Sequence, residues 1–337
     1  MDKVKEIDLA KQKLEARFIP PLKKIFRNLA ADAKTLYIST QRVPAESLAL
    51  HYRPEFLKIA RDAQRASIKE FGFNVRKDGE AKGYAFKTEK YKALINYQIE
   101  TKDNEIILSD SAIDKVNNDF ALEATYFVEE QSDIQADYIT DTNEKEITNA
   151  EKLSVILFFT EQTKLEGEIR SAKDDLRQNE FNRLLGASPS ISDAKKEKLE
   201  AEIRKLEVEL EEFNKNKDKF IGDEIEDKLL AKSDSRSELI AEQNVGLAQS
   251  WAKATEEDLV VDNIEGATKE QNWRAILDSH TRYDHAVADG QKKINGFYVV
   301  GGHRCARPYD PSLPIEQTAG CRCQEETRIV FLTTNQQ

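Results

Sequence analysis

The chain of 337 residues is poor in the residues that mark several protein classes: three cysteines, one methionine, eight prolines and thirteen glycines. An odd and small number of cysteines excludes a disulfide framework. The scarcity of proline and glycine excludes collagen-like and low-complexity chains. No stretch approaches the ~20 consecutive apolar residues of a membrane-spanning helix, so no membrane partner is expected. The opening segment from Met1 to Phe18 is charged throughout and lacks the apolar run of a secretory signal, so synthesis in a cytoplasm is expected. A basic excess is also missing. Acidic residues outnumber basic ones, 62 to 51, whereas proteins that coat nucleic acid carry the opposite balance. There is no His-Glu-x-x-His, no phosphate-cradling glycine loop and no Gly-x-Ser-x-Gly elbow. No enzyme activity is expected.

What remains is a chain in which 34% of residues are charged and 8% aromatic, the composition of a helix-rich protein with long solvated faces. The expected fold is mostly α: a helical N-terminal region over 1–255, including a long antiparallel helical hairpin, then a small α+β domain over 256–337. Pro20 and Pro21 end a first charged helix and suit the first turn of a second, which continues to about Ile38. Its apolar face is marked by Leu22, Ile25, Phe26, Leu29, Ala33 and Leu36. A third helix is expected from about Pro54 to Gly72. Residues 73–110 read equally as a small sheet or as broken helices. Asp141 followed by Glu144 has the form of a capping box, so a long helix is expected to begin there. Leu165, Ile169, Ala172 and Leu176 form a heptad seam, answered by Leu199, Ile203, Leu206, Leu210 and Phe213 beyond a turn at 186–190. These seams predict the hairpin, at about 161–228, as either an arm that meets a partner or a solvated hairpin without one. Ser235 with Glu238 opens a further helix to about Ala252, and 255–271 reads as a connection.

The chemistry concentrates at the end of the chain. All three cysteines, with His280, His285 and His303, fall between 280 and 323. Thiolate and imidazole are zinc's preferred ligands, and Cys321 and Cys323 could join two of His280, His285, His303 and Cys305 around a structural zinc. The spacing matches no standard zinc finger. The alternative is that His285 hydrogen-bonds a carboxylate such as Asp278 while the cysteines act as small buried residues. Arg282, Arg304, Arg307 and Arg322 are suited either to phosphate or to pairing with Asp278, Asp284, Asp310 and Glu316.

The order Trp273, Asp278, Thr281-Arg282-x-x-His285, Gly290, Pro308-x-Asp310-Pro311 and Cys321-Arg322-Cys323 resembles the phage Mu F-like domain of head-morphogenesis minor capsid proteins. Leu239–Asn244 is similar to that family's Ile-Ala-Arg-Thr-Glu segment, with Glu242-Gln243 in place of Arg-Thr. Gly320 stands where the family usually has asparagine. The resemblance covers the C-terminal part of the chain, with Trp273, Asp278, Arg282 and Asp310 as its structural marks. It implies a minor head protein of a tailed double-stranded DNA phage, made in the host cytoplasm and located in the virion head interior near the portal vertex. The implied partners are the portal protein, and beyond it the major capsid protein and packaged DNA. The implied role is head assembly or DNA delivery. The competing expectation is an encapsidated metal-dependent hydrolase or effector ejected with the DNA.

Overall fold

The computed structural model describes residues 3–71, 110–185, 191–262 and 267–331. The fold is mostly α with a small α+β C-terminal region, as the residue pattern predicts. Two compact units are present. The first comprises Met1–Ile25, Arg53–Ile139 and Asp234–Gln337, the second Phe26–Tyr52 and Thr140–Ser233. The expectation for 73–110, apart from its last residue, and the turn at 186–190 lie outside the described residues. No helix among the described residues is long and apolar enough to cross a membrane.

The N-terminal helices are α1 (Lys3–Glu15), α2 (Ile19–Thr40) and α3 (Ala45–Phe71). Pro20 and Pro21 occupy the first turn of α2, where their missing N–H groups have no helical acceptor to serve. Pro54, expected near the start of α3, is inside it. An interior proline costs ~3 kcal/mol or more. The buried residues Leu48, Tyr52, Phe56 and Ala60 keep one apolar face running through that point. Each large side chain contributes ~1.5–3 kcal/mol of burial, which outweighs the proline.

Helix α4 (Asp110–Leu184) runs for 75 residues without a break. The Asp141/Glu144 pair therefore starts no helix. Both side chains are exposed, and the backbone N–H groups there have helical acceptors a turn earlier. Beyond 191 come α5 (Asp193–Lys215) and α6 (Lys217–Leu230). Ser192 caps α5 by accepting from Lys195 N at 3.3 Å. The hairpin seam is present: Ile169 and Ile203 are buried while the residues around them are exposed. Lys173 pairs with Glu207 at 2.6 Å across the arms. At the open end Phe158 stacks on Phe213 at 4.7 Å, and Phe220 meets both rings edge-on.

Helix α7 (Ser233–Asp262) continues well beyond its expected end, into the segment read as a connection. Strand β1 (Ala267–Arg274) follows and pairs antiparallel with the last strand, β4 (Gln324–Phe331), with Trp273 opposite Glu325 and Gln271 opposite Thr327. Between them lie α8 (Tyr283–Ala288), the small pair β2 (Tyr298–Val300) and β3 (His303–Cys305), and α9 (Ile315–Thr318). One apolar core joins Ile68, Phe127, Leu247, Trp273, Tyr298 and Tyr309, so it extends across the boundary expected near residue 255. Trp251 stacks on Phe127 at 4.3 Å beside it.

The β1–β4 pair also encloses two carboxylates. Thr327 Oγ1 donates to Glu257 Oε2 at 2.6 Å, and Tyr298 OH donates to Glu325 Oε2 at 2.9 Å. Gln271 Nε2 donates to both carboxylates. Burial pushes Glu257 up to about 7; Lys253 opposes the shift and Glu325 adds to it.

Candidate metal centre

The centre is built where the chain turns out of α9 into β4. Gly320 sits at φ 65°, a left-handed conformation that glycine adopts at least cost and asparagine tolerates better than most. After that turn burial alternates. Cys321 and Cys323 are buried, and Arg322 between them reaches outward. Its guanidinium grips Asp278 in a two-pronged pair, Nη1 to Oδ2 at 2.8 Å and Nη2 to Oδ1 at 2.5 Å. That pair, with the His280 backbone N–H, holds the Asp278 carboxyl below the usual range. The loop 277–282 is thereby stapled to the segment that carries both thiols. Thr281 Oγ1 tightens it, accepting from Asp278 N at 3.2 Å and donating to Ile276 O.

His285, on α8, faces the two sulfurs. Its Nδ1 is 3.2 Å from Cys323 Sγ and 3.7 Å from Cys321 Sγ. Its Nε2 is 3.0 Å from Gln317 Oε1, and Gln317 Nε2 in turn donates to Asp284 Oδ2 at 3.0 Å. The carboxylate fixes the amide, because only the NH2 end of Gln317 can face Asp284 favourably. The amide then fixes the imidazole: Nε2 carries the proton and the Nδ1 lone pair points at the sulfurs. Gly301, at φ 55°, makes room for this latch; a Cβ there would lie 2.6 Å from Gln317 Nε2.

The donor atoms of His285, Cys321 and Cys323 lie within 4.8 Å of one another, and all three residues are buried. The two sulfurs are electrostatically unlike. A hydrogen bond from Cys323 pulls the Cys321 thiol below the usual range, against the cost of burial. Cys323 is pushed up, because a second thiolate would sit beside the first in a buried place. A divalent cation would remove that repulsion, since thiolates ligate it by giving up their protons. One imidazole and two thiolates form a soft donor set, suited to zinc rather than to calcium or magnesium. The Trp273 ring meets His285 edge-on at 5.9 Å and closes the apolar side.

Of the six donors expected from the sequence, His285, Cys321 and Cys323 converge, and His280 is exposed in the loop before α8. His303 is exposed on β3. Cys305 is buried in the core outside this cluster, where burial and Asp310 push its thiol up to about 12. The expected His285–Asp278 hydrogen bond is replaced by the Gln317 contact. Asp310 braces the Pro308–Pro311 turn: its carboxylate accepts from Ala306 N at 2.5 Å and Ser312 N at 2.9 Å. Burial alone would raise Asp310, but these N–H groups outweigh it and hold the carboxyl down. Arg304 lies over the Phe297 ring at 4.5 Å.

Sequence reasoning missed Lys11. Its ammonium donates to Cys321 O at 3.0 Å and to Tyr309 OH, and lies 3.8 Å from Glu242. The Tyr309 ring fills the space over Gly246, where a Cβ would meet it at 2.4 Å. Helix α1 thus anchors the backbone of one candidate ligand. Local sequence carries no signal for this contact, because Lys11 and Cys321 are 310 positions apart. The segment 239–244 is drawn into the same network through Glu242, whose carboxylate accepts from Tyr309 OH at 3.1 Å.

The fold and the cluster define a mostly helical protein with a buried Cys2His site able to hold a metal ion. No family model, no curated protein and no solved structure matches this chain.

Proposed function

We propose that the chain is a minor head protein of a tailed double-stranded DNA phage. In this reading it binds the portal protein and the head interior and supports head assembly or DNA delivery, with a structural zinc in its C-terminal region. The observation that carries the reading is the way the resemblance residues interlock. Asp278 pairs with Arg322 and bonds Thr281; His285 faces Cys321 and Cys323; the Trp273 carbonyl accepts from Gly290 N at 2.8 Å; and Asp310 closes the proline turn. Residues scattered over some fifty positions act on one another, as expected of a motif that specifies one compact module. The departure at Gly320 is conservative in backbone terms, because glycine and asparagine both accept the left-handed turn.

Zinc at His285, Cys321 and Cys323 would lock α8 to the start of β4. The mechanism is one of binding and positioning, in which the module is a rigid element and the hairpin 161–228 supplies extended contact surface. Quantitative mass spectrometry of purified virions, before and after DNA ejection, tests the assignment. Presence at low copy supports a minor head protein, and loss on ejection makes it a delivered one. Absence both from virions and from assembly intermediates overturns it. The zinc is tested separately, by metal analysis of the purified chain.

A further inference from the structure

A closed structural zinc site has four protein ligands, and the cluster supplies three. We propose that His280 is the fourth. The inference deepens the zinc reading above and rests on it.

A small cleft opens beside the cluster, lined by His285 and Cys323 on its inner side and by His280, Arg282, Gly320 and Arg322 around its rim. A ligand that reaches the metal through this cleft must carry a free lone pair. The Arg282 and Arg322 guanidinium groups have none. Thr281 Oγ1 is occupied at both ends, by Asp278 N and Ile276 O. Among the described side chains on the rim, His280 alone has an uncommitted ligating atom.

Its surroundings suit the task. The ring is 81% exposed, so no packing holds it away. Nδ1 is 3.3 Å from Ser279 Oγ and 3.9 Å from Asp278 Oδ1, which leaves Nε2 free. A carboxylate behind one ring nitrogen, with metal on the other, is the usual way proteins orient a ligating histidine. The backbone is also tied to the site, because the His280 N–H donates to Asp278 Oδ1 at 2.9 Å and Asp278 is clasped by Arg322, the residue between the two cysteines. Bringing His280 inward therefore needs movement of one exposed side chain and its short loop. The result is a neutral His2Cys2 shell around a divalent cation. His303, the other exposed histidine of this region, does not line the cleft.

The test uses the full chain loaded with zinc, and with cobalt(II) as a spectroscopic probe. His280→Ala is expected to weaken zinc binding ~10-fold or more in a chelator competition, since loss of even an outer partner costs ~10- to 100-fold. It is also expected to change the cobalt d–d spectrum away from that of a four-ligand tetrahedral site. His303→Ala is expected to change neither. Because His280 is exposed, its variant is expected to fold, which circular dichroism verifies. If wild-type chain binds zinc and His280→Ala matches it in affinity and spectrum, a solvent or anion fills the fourth position and the proposal is overturned. If wild-type chain binds no zinc, the zinc reading itself fails, and the two failures are told apart.

Discussion

The orientation of His285 depends on an amide latch that a single methyl group is expected to open. Gly301 and Gly302 both have left-handed backbones, φ 55° and 81°. Alanine at either position is strained by ~1–2 kcal/mol. At Gly302 the cost ends there, because nothing lies within 4 Å of the added Cβ. At Gly301 the Cβ would fall 2.6 Å from Gln317 Nε2 and 2.8 Å from Asp284 Oδ2. Both atoms end flexible side chains, so the clash is relieved by movement. What is lost is the hydrogen bond between them, ~1.5–3 kcal/mol for a charged acceptor, with the low end apt because the pair is only partly buried. Gly301→Ala is therefore expected to be less stable than Gly302→Ala by ~1.5 kcal/mol in urea denaturation. With Gln317 released, His285 loses its fixed tautomer, and zinc affinity is expected to fall ~10- to 100-fold in Gly301→Ala only. Equal stability and equal affinity in the two variants would refute the latch.

Two further expectations follow from buried charge and from the hairpin. Glu257 keeps its proton to about pH 7 in the folded chain and to ~4.3 when unfolded. The folded state thus binds more protons between those values. Its contribution is fully present below about pH 4 and declines as pH rises to about 7, by up to ~1.4 kcal/mol per unit. Glu257→Gln is expected to flatten that decline in denaturation midpoints taken from pH 5 to 8, and an unchanged slope would contradict the assignment. In the hairpin, replacing 166–209 by a short flexible linker removes the seam residues Ile169 and Ile203 but keeps the Phe158–Phe213 stack. The shortened chain is expected to retain cooperative melting, and loss of the transition would show that the seam is needed for the rest of the fold.

Much of the architecture was legible because helices are written locally. The heptad steps through Ile169 and Ile203 and the prolines opening α2 each act within a turn or two of themselves. Local punctuation misled where the fold overruled it. Pro54 reads as a beginning and Asp141/Glu144 as a cap, yet both lie inside continuous helices, because each stretch shares an apolar face with the residues before it. The cysteines and histidines disclosed their chemistry by type and crowding, so a thiolate–imidazole cluster could be expected from sequence alone. Which of them meet was decided only in three dimensions. The β1–β4 pairing brings Trp273 opposite Glu325 and sets the two cysteines before β4 against α8. The same packing leaves His303 exposed and Cys305 outside the cluster. The imidazole tautomer comes from Gln317 and Asp284, and the Cys321 carbonyl is held by Lys11 from the other end of the chain. A sequence pattern reports periodicity and chemical type over short distances, whereas a site depends on groups that become neighbours only when a common core is buried.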